Sequence, residues 1–334
     1  MKTIARLSAS DRSDLFRNTA ARVGLSDAIV EKDFWVCFAL DCLFHRSPWK
    51  NSITFKGGTS LSKAYRLIKR FSEDIDLILD WRVLGYGLNE PWDDRSKTKQ
   101  DAFNKEANHR TEAFLAQEFV PAVKDALSDE INADAEIYID QHDPQTVNFA
   151  YPRLFDGTGT LQVIRLEIGA LAAWSPARMV PIISYAAEQY PGVFEQRETT
   201  VLTVTPERTF WEKATILHQE ANRPEYLDMP MRYFRHYYDL FKIGQSSVRN
   251  EALKQPDLLR KVAEFKMKFY PRKWAAYETA RFGTLRLVPP DYRLSVLKKD
   301  YEAMKTMFFG DVPMFDDVMN GIRQIENVIN TTEV

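Results

Sequence analysis

Cysteine is scarce in this chain, which has only Cys37 and Cys42 among 334 residues. The two lie five positions apart in a predicted helix, on different faces, so a disulfide between them is not expected. We expect both thiols to be reduced core residues, as is usual in cytoplasmic proteins. The five histidines are scattered and lack the spacing of a metal site.

Long apolar runs are also missing. No segment approaches the roughly 20 apolar residues that a membrane-spanning helix needs, so no membrane partner is expected. The N-terminal stretch MKTIARLSASDRSDLF carries charges where a signal peptide has its apolar core, so export is not expected either. The chain has no Gly-Lys-Ser/Thr at the spacing of a Walker A loop, which excludes that class of nucleotide site.

What the chain does contain is typical of a globular protein, with 45% hydrophobic and 28% charged residues. Its net charge of −2 conceals an uneven distribution. Residues 232–305 hold 17 Lys and Arg against 8 Asp and Glu, a net charge of +9, whereas the remainder has a net charge of −11. A basic segment attached to an acidic body indicates a polyanionic partner.

Hydrophobic periodicity predicts a helical beginning, a mixed middle and a helical end. The predicted elements before residue 130 are helices over 10–45, a strand SITF, a helix over 60–68, a strand over 71–79, and a polar loop or lid over 85–110 leading into a helix over about 105–127. The later predicted strands are EIYI, TVNFAY, LQVIRLEIG, RMVPIISY and TTVLTV. We therefore predict an α+β protein with a helical lead-in and core over 1–205 and a helical domain over 206–334.

Two aspartates share one face of the predicted strand over 71–79. Because side chains alternate between the faces of a strand, Asp74 and Asp76 point one way while Ile75 and Leu77 point the other. Carboxylates at this spacing repel each other unless a cation lies between them. Mg²⁺ takes such oxygen ligands together with substrate phosphates, and paired ions support phosphoryl chemistry. Without a metal, the two aspartates would be solvated or salt-bridged.

A third carboxylate is available in the segment LQVIRLEIG. There Glu167 shares a strand face with Val163 and Arg165, whereas Ile164 and Leu166 take the other face. An acid on a neighbouring strand could therefore complete a metal-binding cluster.

A glycine-rich turn, FKGGTS, precedes the strand with the aspartates. Gly57 and Gly58 would let the backbone approach a ligand closely. Thr59 and Ser60 open a predicted helix, whose unpaired N–H groups and hydroxyls can receive phosphate oxygens, and Lys63 adds a positive charge one turn later. The turn by itself is also a plain helix cap. Strand, turn, helix and Asp-x-Asp strand together are more specific for a nucleotide site.

Six segments of the chain resemble, in this order, the AbiEii/AbiGii-type toxin nucleotidyltransferases of the polymerase-β-type superfamily: EKDFWV, FKGGTSLSKAY, RFSEDIDL, IRLEIG, ERTFWEKATIL and RHYYDLF. The resemblance covers about residues 20–245 and is weak beyond them. These proteins are the toxins of bacterial type IV toxin–antitoxin and phage-defence systems, and they are similar to the MenT tRNA-modifying toxins. The resemblance implies a polymerase-β-like core and a cognate antitoxin protein.

The resemblance also implies roles for single residues. The matching positions are Gly58, Thr59 and Ser60 in the phosphate-binding turn, Asp74 and Asp76 as metal ligands, Lys213 as a lysine needed for activity, and Asp239 as the aspartate of the last motif. The chain departs from the family in two places. Thr59 directly follows the glycines where the family often has Gly-Ser. The last motif commonly reads Arg-Asp-x-x-Asp, whereas His236 follows Arg235 here.

The neighbours of Lys213 independently indicate an anionic partner. Phe210, Ile216 and Leu217 lie one helical turn away and make a largely apolar surrounding. A lysine in such a place either meets an anion, such as a triphosphate, or extends its ammonium group to solvent.

Two other charged groups have ordinary explanations. Asp239 follows Arg235 by four positions and precedes Lys242 by three, so a solvated stripe of ion pairs would account for it. The charged triplet at 31–33 lies within an apolar helix. A structural salt bridge is favoured for it, and support of the nucleotide is the alternative.

The basic segment is the candidate acceptor site. Its spacing places four basic residues on one predicted helical face: Lys254, Lys261, Lys268 and Arg272. The interleaved aromatic residues are Phe265, Phe269, Tyr270, Trp274 and Tyr277. Basic side chains hold a phosphate backbone and aromatic rings stack on unpaired bases, which favours RNA. The alternative is a solvated basic face over an aromatic core.

These observations favour a Mg²⁺- or Mn²⁺-dependent nucleotidyltransferase that moves a nucleoside monophosphate from an NTP to an acceptor. The resemblance implies a toxin with RNA as acceptor, at the tRNA 3′ end in particular. One alternative is a small-molecule or protein acceptor, against which the basic segment argues. Another is a non-catalytic nucleotide- or RNA-binding module, which would not need three acids.

Overall fold

The computed structural model describes residues 1–72, 74–128, 130–131, 135–157 and 162–333. The chain forms two compact units: Met1–Ala64 with Ser72–Val204, and Tyr65–Phe71 with Thr205–Val334. The predicted division into domains over 1–205 and 206–334 stays a prediction, and the units differ from it because residues 65–71 belong to the second. One position in each of two predicted strands, Glu73 and Leu161, lies outside the described residues.

A mixed seven-stranded sheet forms the centre of the first unit and confirms the α+β class. In chain order its strands are β1 (Ile53–Lys56), β2 (Asp74–Leu79), β3 (Glu136–Ile139), β4 (Thr146–Ala150), β5 (Ile164–Gly169), β6 (Ala177–Ile183) and β7 (Glu198–Val204). Their order across the sheet is β3-β4-β5-β2-β1-β7-β6. The middle strand, β2, runs antiparallel to β1 and parallel to β5, so β2 and β5 lie side by side.

The helices of the first unit are α1 (Lys2–Ala5), α2 (Ala9–Val23), α3 (Asp27–His45), α4 (Gly57–Thr59), α5 (Lys97–Phe114), α6 (Val120–Ser128) and α7 (Tyr185–Gln189), with π-helical turns at Ser60–Ala64 and Leu115–Phe119. The helical lead-in is confirmed, and Ser26 caps α3 by accepting the N–H of Ile29. Residues 30–44 of α3 are all buried. Cys37 and Cys42 are buried free thiols, as predicted.

The helix predicted over 60–68 is wrong at its end. The helical backbone stops at Ala64, and Arg66 adopts a left-handed conformation with φ 54°. Residues with a Cβ rarely take this conformation within a helix, so it terminates the element. The strand predicted over 71–79 begins at Asp74.

The polar loop or lid predicted over 85–110 is shorter in the structure. Residues 97–128 are helical throughout, and the Ser96 hydroxyl caps the start of α5 by accepting the N–H of Lys99. The loop in front of α5 is held by Arg95. Its guanidinium donates to the backbone carbonyls of three residues: Glu90, Pro91 and Asp93.

The second unit is helical, as predicted from residue 206 onward. Its helices are α8 (Pro206–Ala221), α9 (Phe234–Gly244), α10 (Val248–Leu253), α11 (Pro256–Phe269), α12 (Asp291–Met304) and α13 (Phe315–Thr331). Helix α8 packs against α9, α10 and α11, and α9 packs against α12 and α13. The α9–α13 contact is close, since a Cβ at Gly321 would lie 2.3 Å from a ring carbon of Phe241. Among the described helices, none combines the length and the apolar character needed to span a membrane.

Candidate active site

Three carboxylates lie on one face of the neighbouring strands β2 and β5. Asp74 and Asp76 are half-buried while Ile75 and Leu77 are buried, so the predicted alternation is confirmed. The Cα of Asp76 pairs in parallel register with that of Glu167. Register partners of adjacent strands have side chains on the same face of a sheet. The structure therefore brings these three acids together.

The electrostatic environment of Glu167 reflects this crowding. Burial and the neighbouring charges of Asp76 and Asp74 raise the pKa of Glu167 to about 7. Arg165 acts in the opposite direction, with its Nη2 3.7 Å from Glu167 Oε1. A carboxyl group with a raised pKa beside two other carboxylates indicates a local concentration of negative charge.

This pKa predicts a pH dependence of stability. The group binds more protons in the folded state than in the unfolded state between its ordinary value of 4.5 and about 7. The wild-type protein should therefore lose stability relative to Glu167→Gln as pH rises through this window, by up to about 1 kcal/mol given a side chain 41% exposed. Urea unfolding at several pH values measures it. Glu136→Gln, an exposed substitution on β3, is the control, and a pH-independent difference for Glu167→Gln would contradict the assignment.

Gly57 makes room for the carboxylate of Asp76. Its φ is 82°, and an added Cβ would lie 1.8 Å from Asp76 Oδ2. Any other residue would therefore be strained in the left-handed region and would also displace the carboxylate. The first glycine of the predicted turn thus has a defined task, which is to let the backbone of the turn approach Asp76.

We expect Gly57→Ala to lower nucleotidyl transfer by about 100-fold, because it moves Asp76 out of position. Gly85→Ala is a matched control: its φ is 87°, but nothing lies within 4 Å of the added Cβ. Both variants should lose about 1 kcal/mol from left-handed strain, and only Gly57→Ala should lose activity. Initial rates and urea unfolding of the two variants measure this. Equal activities would show that the close approach of Asp76 is not required.

The hydroxyls of the turn bind the backbone. Thr59 donates to the carbonyl of Asp74, and Ser60 donates to the carbonyl of Gly57 at 2.8 Å. Both residues and Gly58 are buried. These bonds attach the turn to the start of β2, next to the three acids. Phosphate binding by Gly58, Thr59 and Ser60 stays a prediction.

Lys63 has an anionic partner within the first unit. Its Nζ lies 2.6 Å from Asp33 Oδ1 and 4.1 Å from the ring centroid of Tyr185, and both charged side chains are buried. Burial lowers the pKa of Lys63, but Asp33, Cys37 and Tyr185 together outweigh it and the net shift is upward. The salt bridge favoured for the triplet at 31–33 is thereby confirmed. A phosphate at Lys63 would compete with Asp33, so that role also stays a prediction.

Glu31 of the same triplet binds backbone rather than a cation. Its carboxylate accepts the N–H groups of Leu154 and Phe155 at 2.8 and 3.1 Å. Burial raises the pKa of Glu31 to about 7 despite these bonds. Glu31 and Asp33 of α3 thus bind neighbouring segments of the first unit.

A second charged cluster lies within the second unit. Asp239 on α9 is fully buried, and its Oδ2 lies 2.8 Å from Lys213 Nζ on α8. Arg70 binds the same carboxylate through two contacts, Nε to Oδ1 at 2.7 Å and Nη2 to Oδ2 at 2.8 Å. Lys213 Nζ also lies 3.2 Å from His236 Nδ1. Of the two alternatives for Lys213, an anion or extension to solvent, the structure shows an anion, and it is supplied by the protein itself.

The charge states of this cluster follow from its burial. Burial by itself would raise the pKa of Asp239, but Arg70 and Lys213 hold it well below the ordinary value. The pKa of Lys213 is lowered, because burial outweighs Asp239. The pKa of His236 is lowered well below its usual value by burial and by Lys213. His236 is therefore neutral at pH 7, and its Nδ1 accepts from the ammonium group.

The solvated ion-pair stripe considered for Asp239 is wrong. The partners of the carboxylate are Arg70 and Lys213, both distant in sequence, rather than Arg235 and Lys242 of its own helix. No sequence pattern predicted a role for Arg70. The available signal was its position as first residue of the segment RFSEDIDL, which resembles a family motif.

The prediction of one basic helical face in the C-terminal part is wrong. Lys254 lies at the end of α10, a new helix starts at Pro256, and Arg272 follows α11. Of the four predicted basic residues, only Lys261 and Lys268 therefore share a helix. Helix α10 does not continue into α11, because Pro256 lacks the N–H group that helix continuation needs. Both remain on one face of α11, because seven residues make nearly two turns.

The interleaved aromatic residues divide into two groups. Phe265, Phe269 and Tyr277 are buried, as in the alternative of an aromatic core beneath a basic face. Tyr270 is 53% exposed. Trp274 is half-buried and has the guanidinium groups of Arg223 and Arg272 within 4.8 and 5.7 Å of its ring centroid. The exposed aromatic ring therefore lies at the end of the segment rather than along it.

The chain is similar to known proteins both in sequence and in fold. A family model described as "Nucleotidyl transferase AbiEii toxin, Type IV TA system" matches residues 39–321. The solved structure of MenT4, a nucleotidyltransferase toxin from Mycobacterium tuberculosis H37Rv, is similar with a TM-score of 0.51 and 15% identity, over 98% of this chain and 91% of that one. A putative nucleotidyltransferase from H. pylori has a TM-score of 0.45 and 12% identity, over 93% and 100%. No curated protein matches. At these identities the structural likeness to MenT4 supports the fold alone.

Proposed function

This chain belongs to the AbiEii family of nucleotidyltransferase toxins of type IV toxin–antitoxin systems, and from that premise we propose that it transfers a nucleoside monophosphate from an NTP to RNA, with the tRNA 3′ end as acceptor. The proposed reaction depends on Mg²⁺ or Mn²⁺. The family implies NTP as substrate and an antitoxin as partner. The metal and the acceptor are the parts that need a test.

The observation that supports metal-dependent transfer is the group of acids on β2 and β5. Asp74, Asp76 and Glu167 share a sheet face, and the pKa of Glu167 is raised to about 7 by burial and by its two neighbours. A divalent cation relieves such repulsion. A binding module without catalysis has no need for this arrangement.

The donor set fits a hard cation. Carboxylate oxygens are the protein ligands of Mg²⁺, which commonly takes one or two of them and completes its shell with water and substrate phosphates. Among the described residues, no group of three or more His, Cys, Asp or Glu side chains is arranged to hold a metal ion. We therefore assign metal binding to Asp74 and Asp76 together with the substrate, with Glu167 as a third candidate ligand. The bound ion would supply charge neutralisation at the phosphates.

The protein's own residues have separate tasks in this proposal. Gly57 lets the turn approach Asp76 and so orients that carboxylate. The turn at Gly58, Thr59 and Ser60 receives nucleotide phosphate. Lys213 is required for transfer, with its ammonium group oriented by Asp239 at 2.8 Å.

The basic segment supports RNA as the acceptor. Lys261 is exposed and shares a face of α11 with Lys268, and Tyr270 and Arg272 follow at the exposed end of this helix. Cations of this kind bind phosphates without reading sequence, and exposed aromatic rings stack on unpaired bases. The acceptor assignment therefore rests on this surface.

Charge reversal at Lys261 and Lys268 should weaken RNA binding and reduce its salt dependence by about one unit of slope for each lost phosphate contact. Binding of NTP should remain unchanged, because the proposed nucleotide residues are different ones. Titrations of RNA and NTP over a salt series measure both. Reversal of Lys97 and Lys99, two exposed lysines on α5, changes the net charge equally and is the control. An unchanged slope would mean that the basic face is only solvated.

One experiment tests the function as a whole. The protein is incubated with each labelled NTP, with Mg²⁺ or Mn²⁺, and with total RNA, and the products are separated into tRNA, other RNA, protein and small molecules. We expect label at the 3′ end of tRNA. Label in protein or in a small molecule would establish the alternative acceptor class, and no label with any NTP and metal would contradict transferase activity of the isolated chain.

A further inference from the structure

Arg70 is a buried arginine to which the proposed function so far gives no task. It is 4% exposed, and both oxygens of the Asp239 carboxylate receive its N–H groups, at 2.7 and 2.8 Å. A guanidinium is planar and always charged, so two parallel hydrogen bonds fix the carboxylate in one plane. The ammonium group of Lys213 contacts the same carboxylate at Oδ2, also at 2.8 Å.

We propose that Arg70 is a positioning residue for nucleotidyl transfer: by holding Asp239 it fixes the place of the Lys213 ammonium group. This inference rests on the proposed function, in which Lys213 is required. With Arg70 in place, Lys213 is held between Asp239 Oδ2 and His236 Nδ1, at 2.8 and 3.2 Å. Without Arg70, both carboxylate oxygens would attract the ammonium group, which would then move toward Asp239 and away from His236. A displacement of about 1 Å can lower an enzymatic rate by about 100-fold.

The backbone around Arg70 is fixed to the same helix as Asp239. The N–H of Lys69 donates to the hydroxyl of Tyr238 at 3.1 Å, and Tyr238 precedes Asp239 on α9. Arg70 and its neighbour therefore bind two consecutive residues of one helix. This double attachment sets the position of the guanidinium relative to α9.

The segment 307–309 is hydrogen-bonded to the backbone on either side of Arg70 in the chain. The N–H of Phe71 donates to the carbonyl of Met307 at 2.7 Å, and the N–H of Phe309 donates to the carbonyl of Lys69 at 3.0 Å. Residues 307–309, which are more than 230 positions from Arg70 in the chain, thus support its placement. Such rigid support is what a positioning residue requires.

A second arginine in the same unit allows a matched comparison. Arg223 pairs with Glu220 at 2.7 Å, with side chains 8% and 1% exposed, against 5% and 0% for the pair of Arg70 and Asp239. Removal of either arginine leaves a buried carboxylate with one cation fewer. Only Arg70 binds the carboxylate that also contacts Lys213, so the two variants separate a structural effect from a positioning effect.

The test compares Arg70→Ala with Arg223→Ala in the labelling reaction with full-length protein. Folding is checked by circular dichroism and urea unfolding, and rates are corrected for the folded fraction. We expect Arg70→Ala to lose about 100-fold in rate and Arg223→Ala to stay near wild type. Millimolar methylguanidinium should raise the rate of Arg70→Ala about tenfold, because it can donate two parallel hydrogen bonds to Asp239. Methylammonium should leave the rate of Arg70→Ala unchanged, and neither compound should change the rate of Arg223→Ala.

Arg70→Lys tests the positioning role of Arg70 if Arg70→Ala does not fold. Lysine keeps the charge but cannot span both oxygens, so we expect a folded variant about tenfold slower than wild type. Full activity of Arg70→Lys, or a folded Arg70→Ala that methylguanidinium leaves unchanged, overturns the inference while the proposed function stands. A wild-type protein that labels nothing overturns the proposed function, and this inference with it.

Discussion

Nucleotidyl transfer by Asp76→Asn is expected to fall by about 10³-fold, and Asp74→Asn should behave in the same way. Asparagine has the shape of aspartate but lacks the charge that holds a divalent cation and its phosphates. The substituted side chain still fits beside Gly57, whose missing Cβ leaves room for it. The loss would therefore report the missing charge rather than a displaced turn. Initial rates with saturating NTP and metal measure it.

The same substitution should not destabilise the protein. It removes one of the charges that raise the pKa of Glu167, so this pKa should fall toward its ordinary value and repulsion in the site should decrease. Urea unfolding at pH 7 is expected to give a free energy of unfolding equal to or above that of wild type. Asp101→Asn, an exposed substitution on α5, serves as control for rate and stability. Retained activity of Asp76→Asn would refute the metal assignment.

Asp239→Asn is expected to lower the free energy of unfolding by about 3–5 kcal/mol. The variant leaves Arg70 and Lys213 buried, 4% and 8% exposed, without the carboxylate that both contact. Uncompensated buried cations are costly, because the interior cannot replace their hydration. Urea unfolding at pH 7 measures the loss.

The pH dependence of this loss has a definite sign. The pKa of Asp239 in the folded protein is held well below its ordinary value of 3.8. The contribution of Asp239 to stability is therefore complete above pH 3.8, and it disappears as the pH falls through the lowered pKa of the folded state. The difference between wild type and Asp239→Asn should thus be constant from pH 7 to about 4 and shrink below it. Asp257→Asn, in an exposed ion pair with Arg260, is the control and should change little. A small loss for Asp239→Asn would mean that the cations remain solvated.

The carboxylates on β2 show what local sequence can predict. Alternation along a strand depends only on backbone geometry, so Asp74 and Asp76 could be placed on one face from their spacing. Their burial pattern agrees. The place of Glu167 opposite Asp76 required the pairing of two strands separated by more than 80 residues, which no local rule supplies. From the sequence, Glu167 could be predicted as a candidate third acid, but its position beside Asp76 could not.

The lysines show where local reasoning failed. The apolar turn around Lys213 left two alternatives, an anion such as a triphosphate or an ammonium group extended to solvent. In the structure Lys213 contacts Asp239, and the second cation on that carboxylate, Arg70, lies 169 residues away in sequence. Lys63 pairs with Asp33 on another helix. Because burial makes a charge costly regardless of chain distance, the sequence can show that a partner is needed without showing which residue supplies it.

The sequence by itself determined the α+β class, the helical beginning and end, the strand with its paired aspartates and the family motifs, since each of these depends on residues close together in the chain. Tertiary structure alone decided three other features. The first is the strand register that places Glu167 beside Asp76. The second is the membership of residues 65–71 in the second unit. The third is the buried cluster of Arg70, Lys213, His236 and Asp239. All three join segments distant in sequence, where the balance of burial and charge is settled only by packing.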